Sequence, residues 1–85
     1  MPTTAQEFLD RGDRYLNNGD YDSAITDFTQ VIRLNPNDAK AYYNRGLTYS
    51  YKGGKGKAIA DFEAVLRIDP SHEDAKSNLE QLRSH

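Results

Sequence analysis

Apolar positions recur on two scales along this chain. Over short windows they fall three and four residues apart, the spacing of an amphipathic helix, and over the whole chain the pattern returns after 34 residues. Ala24-Ile25-Thr26-Asp27-Phe28-Thr29-Gln30-Val31-Ile32-Arg33-Leu34-Asn35-Pro36 comes back as Ala58-Ile59-Ala60-Asp61-Phe62-Glu63-Ala64-Val65-Leu66-Arg67-Ile68-Asp69-Pro70. The same step lays Ala5 on Ala39, Arg11 on Arg45, Gly12 on Gly46, Tyr15 on Tyr49 and Gly19 on Gly53. A gapless offset of this length predicts duplicated helical units stacked as a solenoid. No segment alternates with period two over any length, so no sheet is expected.

The pattern resolves into five helices. Thr3 and Thr4, with Gln6 and Glu7 three residues on, suit a capping box, and Ala5, Phe8, Gly12, Tyr15 and Leu16 carry a helix over about 4–18 to the stop at Asn17-Asn18-Gly19-Asp20. Asp20 heads the second helix, whose stripe is Tyr21, Ala24, Ile25, Phe28, Val31 and Ile32. It ends at Asn35, because a residue before proline avoids helical angles. Asp38 caps the third, about 39–52, with Ala39, Tyr42, Tyr43, Gly46, Leu47 and Tyr49. In the turn Lys52-Gly53-Gly54-Lys55-Gly56-Lys57, Lys55 stands where repeat one has Tyr21, and glycines stand for Asp20 and Asp22. With anchor and cap gone, a looser turn and a fourth helix frayed at its start are expected, running to about Asp69. Ser71 is read as the cap of the last helix, about 72–84, with Ala75, Leu79 and Leu82 on its one apolar stripe.

Two features demand tertiary partners. A glycine inside a helix costs about 1 kcal/mol against alanine, so Gly12 and Gly46 imply a close approach. Ala24 and Ala58 are the expected small partners, with Phe8, Tyr15 and Phe28 filling the wider ends of the wedge. Arg11 recurs with Asp27 as Arg45 does with Asp61; this is read as an ion pair tying the two helices of each unit, against the alternative of independent surface charges.

At this point the chain resembles the tetratricopeptide repeat family, whose helix–turn–helix unit has this period. The signature positions are Phe8, Gly12, Tyr15, Ala24, Phe28 and Pro36 in one unit and Tyr42, Gly46, Tyr49, Ala58, Phe62 and Pro70 in the next. The resemblance implies an all-α, right-handed α–α superhelix in one domain: repeat one over 5–38, repeat two over 39–72, and a solvating helix over 73–85. It also implies a concave groove lined by the first helix of each repeat, where such arrays bind peptides or partner helices. By position that groove would show Gln6, Leu9, Asp10, Asp13 and Asn17, then Lys40, Tyr43, Asn44, Leu47 and Tyr51, then Asn78 with Asp74 and Gln81. The expected partner-binding set is Leu9, Asp13, Lys40, Tyr43, Asn44, Leu47 and Tyr51. One subgroup of the family grips the carboxylate of chaperone tails with a Lys/Asn/Arg clamp. Asn44 and Lys40 stand in suitable places, but Leu9 and Asp13 occupy those of its lysine and first asparagine, and Asn78 that of its arginine. An acid at Asp13 repels a carboxylate and favours a ligand of positive or mixed character.

Composition narrows the classes. Eighty-five residues with net charge −2 and a pI near 5.6 argue against a general binder of nucleic acid or of anionic membranes. The charge is uneven: residues 1–38 carry seven acids and three bases, residues 39–85 six acids and eight bases. There is no cysteine, hence no disulfide or thiolate chemistry. The start lacks a signal-peptide pattern and nothing later approaches a membrane span, so a soluble cytoplasmic chain is expected. The Lys52–Lys57 segment is no phosphate loop, since Lys57 is followed by Ala58 and no strand precedes it. His72 and His85 have no metal-site spacing, and no nucleophile, base and orienting group assemble from core positions. The sequence thus calls for no enzyme, metal or cofactor. It predicts an adaptor or scaffold that binds a protein or peptide in its groove. The alternative is a self-assembling solenoid unit, the acidic first repeat of one copy meeting the basic remainder of another.

Overall fold

A computed structural model describes residues 1–84. Five helices follow in order: α1 (Ala5–Asn17), α2 (Tyr21–Leu34), α3 (Ala39–Lys52), α4 (Lys55–Ile68) and α5 (Glu73–Arg83), and no strand occurs among the described residues. The architecture is an all-α superhelix. Hairpins α1–α2 and α3–α4 stack through α2 and α3, and α5 lies on α4.

The helix ends follow from their caps. Thr4 accepts from the Glu7 amide while the Glu7 carboxylate accepts from the Thr4 backbone N–H, closing a capping box. Asp20 and Asp38 head α2 and α3 with one-way caps, their carboxylates accepting from the Ser23 and Ala41 amides. α4 has no such device: its cap is Gly54, which has no side chain to offer. It nevertheless starts at Lys55, the place equivalent to Tyr21 where α2 starts, so the expected fraying is not observed. Gly53 adopts φ +94°, closing α3 with its amide on the Ser50 and Tyr49 carbonyls, and Ala58, buried in the second core, lies only one turn into α4. The last cap also differs from expectation. His72, not Ser71, heads α5, its Nδ1 accepting the Ala75 amide at 3.1 Å. Ser71 is already engaged, its hydroxyl donating to Asp69 at 2.8 Å.

Two apolar clusters form the core. Leu9, Ala24, Phe28, Val31 and Ala41 make the first; Ala58, Phe62, Val65, Ala75 and Leu79 make the second. The helical glycines open the narrow place in each hairpin, but not toward an alanine. A Cβ on Gly12 would lie 2.6 Å from Phe28 Cε1, and one on Gly46 3.0 Å from Phe62 Cε1 and 3.2 Å from Asp61 Cβ. Each glycine is a notch for a phenylalanine edge. Phe28 therefore packs at the closest approach rather than at the wide end of the wedge.

The ion pairs form. Arg11 holds Asp27 through Nε at 2.7 Å and Nη2 at 2.8 Å, and Arg45 holds Asp61 at 2.9 and 2.8 Å. Both carboxylates are buried, and each guanidinium lies between two rings, Phe8 and Tyr15 or Tyr42 and Tyr49. Two parallel bonds satisfy a buried carboxylate, where a single point charge would leave lone pairs unmet. Arg45 also donates through Nη1 to Thr29 Oγ1 at 3.1 Å, which fastens repeat two to repeat one.

The 34-residue register explains the two ends of the stack. Ala41 and Thr48 of α3 are fully buried, whereas the equivalent places in α1 hold exposed Glu7 and Arg14. In α5 the places that hold Tyr42, Gly46 and Tyr49 in α3 hold exposed Lys76, Glu80 and Arg83. α5 is thus a first-type helix without the residues that would seat a following one. Both outward faces are written for water.

Candidate functional site

α1, α3 and α5 present one shared surface, and polar side chains bridge them there. Asn44 Nδ2 donates to Asp13 Oδ1 at 2.8 Å, joining α3 to α1. Asn78 Nδ2 donates to the Tyr43 hydroxyl at 3.2 Å and to the Asp74 carbonyl at 2.9 Å, joining α5 to α3. One turn before Asp13, Asp10 accepts from Gln6 at 2.9 Å. These bridges follow from helical spacing. Lys40, Tyr43, Asn44, Leu47 and Tyr51 fall at i, i+3, i+4, i+7 and i+11, one stripe of α3, flanked by Asp10 and Asp13 of α1 and by Asp74 and Asn78 of α5.

The expected site residues divide by burial. Leu9 is only 5% exposed and belongs to the first core cluster. It lies in the floor beneath the shared surface, because its stripe on α1 turns inward onto residues of α2 and α3. Leu47 and Tyr43 are half-buried against the second cluster. Tyr43 packs its ring on Phe62 at 5.7 Å and on His72 at 4.9 Å. Asn44 and Asp13 are half-buried, and Lys40 is exposed. Tyr51 is 61% exposed, its ring 6.0 Å from that of Tyr21. Beside that pair Lys52 forms an ion pair with Asp22.

Electrostatics separate these groups. Burial pushes the Asp13 carboxyl above the usual aspartate range; the Lys40 ammonium and the Asn44 amide pull it down, and Asp10 adds a smaller upward push. Burial likewise raises the Tyr43 phenol, with Asp74 adding to it and the Asn78 hydrogen bond opposing. Of the two residues of clamp type, Asn44 is thus bonded to an acid of the chain itself, and the charge of Lys40 acts on the same acid.

Among the described residues no group of acids, histidines or cysteines is placed to hold a metal ion, and no helix is long and apolar enough to cross a membrane. A hollow of about 400 Å³ lies away from the shared surface, lined by Tyr49, Lys52 and the turn through Lys57. Sequence reasoning missed the partners themselves. Tyr21 with Tyr51, Thr29 with Arg45 and Asp13 with Asn44 join different repeats, and repeat spacing alone does not give inter-repeat reach.

Known families agree with the hairpin stack. Residues 12–53 match the family described as TPR repeat, and residues 39–72 the one described as Tetratricopeptide repeat. The chain belongs to the tetratricopeptide repeat family. Its backbone follows the Arabidopsis OM64 TPR domain at a TM-score of 0.92 and 27% identity, over 96% of this chain and 68% of that one. It follows the second TPR domain of human RPAP3, solved with the HSP70 peptide SGPTIEEVD, at 0.89 and 31%, over 94% and 67%. MamA superposes at 0.94 and 28% identity, with 96% of this chain covering 48% of that protein's. No curated protein sequence matches the chain. Tetratricopeptide repeats are in general a non-catalytic fold for protein interaction, and membership of the family makes this chain a protein-interaction module.

Proposed function

We propose that this tetratricopeptide module binds a partner peptide along the surface shared by α1, α3 and α5, and acts without turnover as an adaptor or scaffold. The observation that carries the reading is the stripe of α3 running from exposed Lys40 past half-buried Asn44 to exposed Tyr51, with Asp13 and Asn78 reaching it from either side. It combines an exposed tyrosine, an amide and a charge, the means by which protein surfaces anchor a partner. The human neighbour solved with a peptide on the same fold supports it. Stacking of copies through the repeat faces is the weaker reading, because it would bury Glu7 and Arg14 at one end or Lys76, Glu80 and Arg83 at the other, each exposed in this structure.

The test compares partner capture from lysate by the wild type and by a Lys40→Ala/Tyr51→Ala variant. Both residues are exposed, so the fold should survive, and helical circular dichroism checks this. Capture by the wild type that is lost in the variant supports the shared surface as the binding face. The same capture by both places binding elsewhere.

A further inference from the structure

The charge of this surface decides what kind of peptide it takes. We propose that it selects an internal peptide segment carrying an arginine or lysine, seated against Asp13 and Asp10, with an apolar or aromatic side chain about three residues away on the Tyr51–Tyr21 pair. This rests on the peptide-binding reading above and deepens it.

Four features of the surface lead there. Three carboxylates (Asp10, Asp13 and Asp74) share it with one ammonium, Lys40. Asp13 spends only Oδ1 on Asn44; among the described residues its Oδ2 has no hydrogen-bond partner. A carboxylate accepts at both oxygens, and a guanidinium or ammonium is the donor that matches it. Asp13 is also half-buried and held above the normal aspartate range by that burial, so an arriving cation stabilises it more than it would an exposed acid. The two acids repel the kind of ligand carried by the human neighbour, whose peptide ends Glu-Glu-Val-Asp. The Asn44 amide, a donor suited to a carboxylate, is spent on Asp13 instead, and the Lys40 charge is offset in part by the same acid.

The second anchor sets the spacing. Tyr51 lies seven residues beyond Asn44 on the same stripe of α3, which is about 10 Å along the helix axis at about 1.5 Å per residue. An extended peptide covers that distance in about three residues. Tyr21 and Tyr51, tilted by 35° with centroids 6.0 Å apart, offer a partly solvated aromatic floor to the second side chain. Lysine and arginine stems also pack on such rings.

The test is a displayed library of random peptides with no free C-terminus within reach, selected on the full chain and sequenced. The bound pool should favour Arg and Lys over Asp and Glu by about tenfold at one position, with apolar or aromatic residues enriched three positions away. Asp13→Asn should abolish the basic preference while melting no lower than the wild type, and Asp10→Asn, at an exposed site, should weaken it. Retained preference in both variants overturns the assignment. A pool enriched in acids, or indifferent to charge, overturns the proposal and leaves the peptide-binding surface standing. A pool no larger than that from the Lys40→Ala/Tyr51→Ala variant overturns both.

Discussion

Gly12 shows how tightly single residues are specified. Alanine there would normally stabilise a helix by about 1 kcal/mol, but its Cβ would meet the edge of a fully buried phenylalanine at 2.6 Å. Gly12→Ala is expected to lower stability by about 1–3 kcal/mol in thermal unfolding; Gly46→Ala, with 3.0 Å to Phe62, should cost less. The buried pairs are specified by charge as well as shape. Asp61→Ala leaves Arg45 without its bidentate partner between two tyrosines, and removing one member of such a pair costs about 3 kcal/mol. A double-mutant cycle with Arg45 that shows no coupling would contradict this. Two carboxyls should titrate in opposite senses. The backbone N–H of Thr3 and the hydroxyl and N–H of Thr4 hold Glu7 below the usual range. Its contribution to stability is thus present above about pH 4.3 and is lost as pH falls through that value to its depressed one. Asp13, raised chiefly by burial, does the reverse: the folded chain takes up its proton first, so acid relieves a cost. Carboxyl carbon shifts followed by NMR check both directions.

At the level of helices, the turn before α4 offers the clearest handle. Gly54 caps it without a side chain, at a negative φ of −87° that other residues adopt freely, and a Cβ there would rest at 3.5 Å from Tyr49, an ordinary contact. Gly54→Asp should restore the device that Asp20 provides in α2 and raise stability by about 1 kcal/mol; an unchanged melting midpoint would contradict it. The same turn shows where sequence reading succeeds and stops. The number of helices and their limits near Asn17, Leu34, Lys52 and Ile68 were legible, because period, Asp caps and X-Pro turns act locally. The intact start of α4 at Lys55 was not, because the missing cap is outweighed by tertiary burial of Ala58 one turn on. Ser71 looked like a cap by type, but Asp69 competes for its hydroxyl and His72 takes the role. The glycine notches were legible as close approaches, while their occupants, Phe28 and Phe62 instead of Ala24 and Ala58, depend on how far an aromatic reaches across the hairpin. The α3 stripe was legible from helical spacing. The burial of Leu9 and the bond from Asn44 to Asp13 needed the angle between α1 and α3.

For the whole molecule, two clusters share one stack 40 × 25 × 16 Å in extent, and the register of buried and exposed residues fixes where stacking halts. Glu7 and Arg14 at one face and Lys76, Glu80 and Arg83 at the other predict a chain whose sedimentation coefficient stays constant with concentration and salt. Salt-sensitive dimers would revive assembly through the repeat faces. The central claim is that the shared surface of α1, α3 and α5 receives the partner. The most direct measurement is ¹H–¹⁵N shift mapping while a library-selected peptide is added. The account predicts changes concentrated at Asp10, Asp13, Lys40, Asn44, Leu47 and Tyr51. Changes confined to the Lys52–Lys57 turn, or to Arg33, Glu63 and Arg67 on α2 and α4, would contradict it.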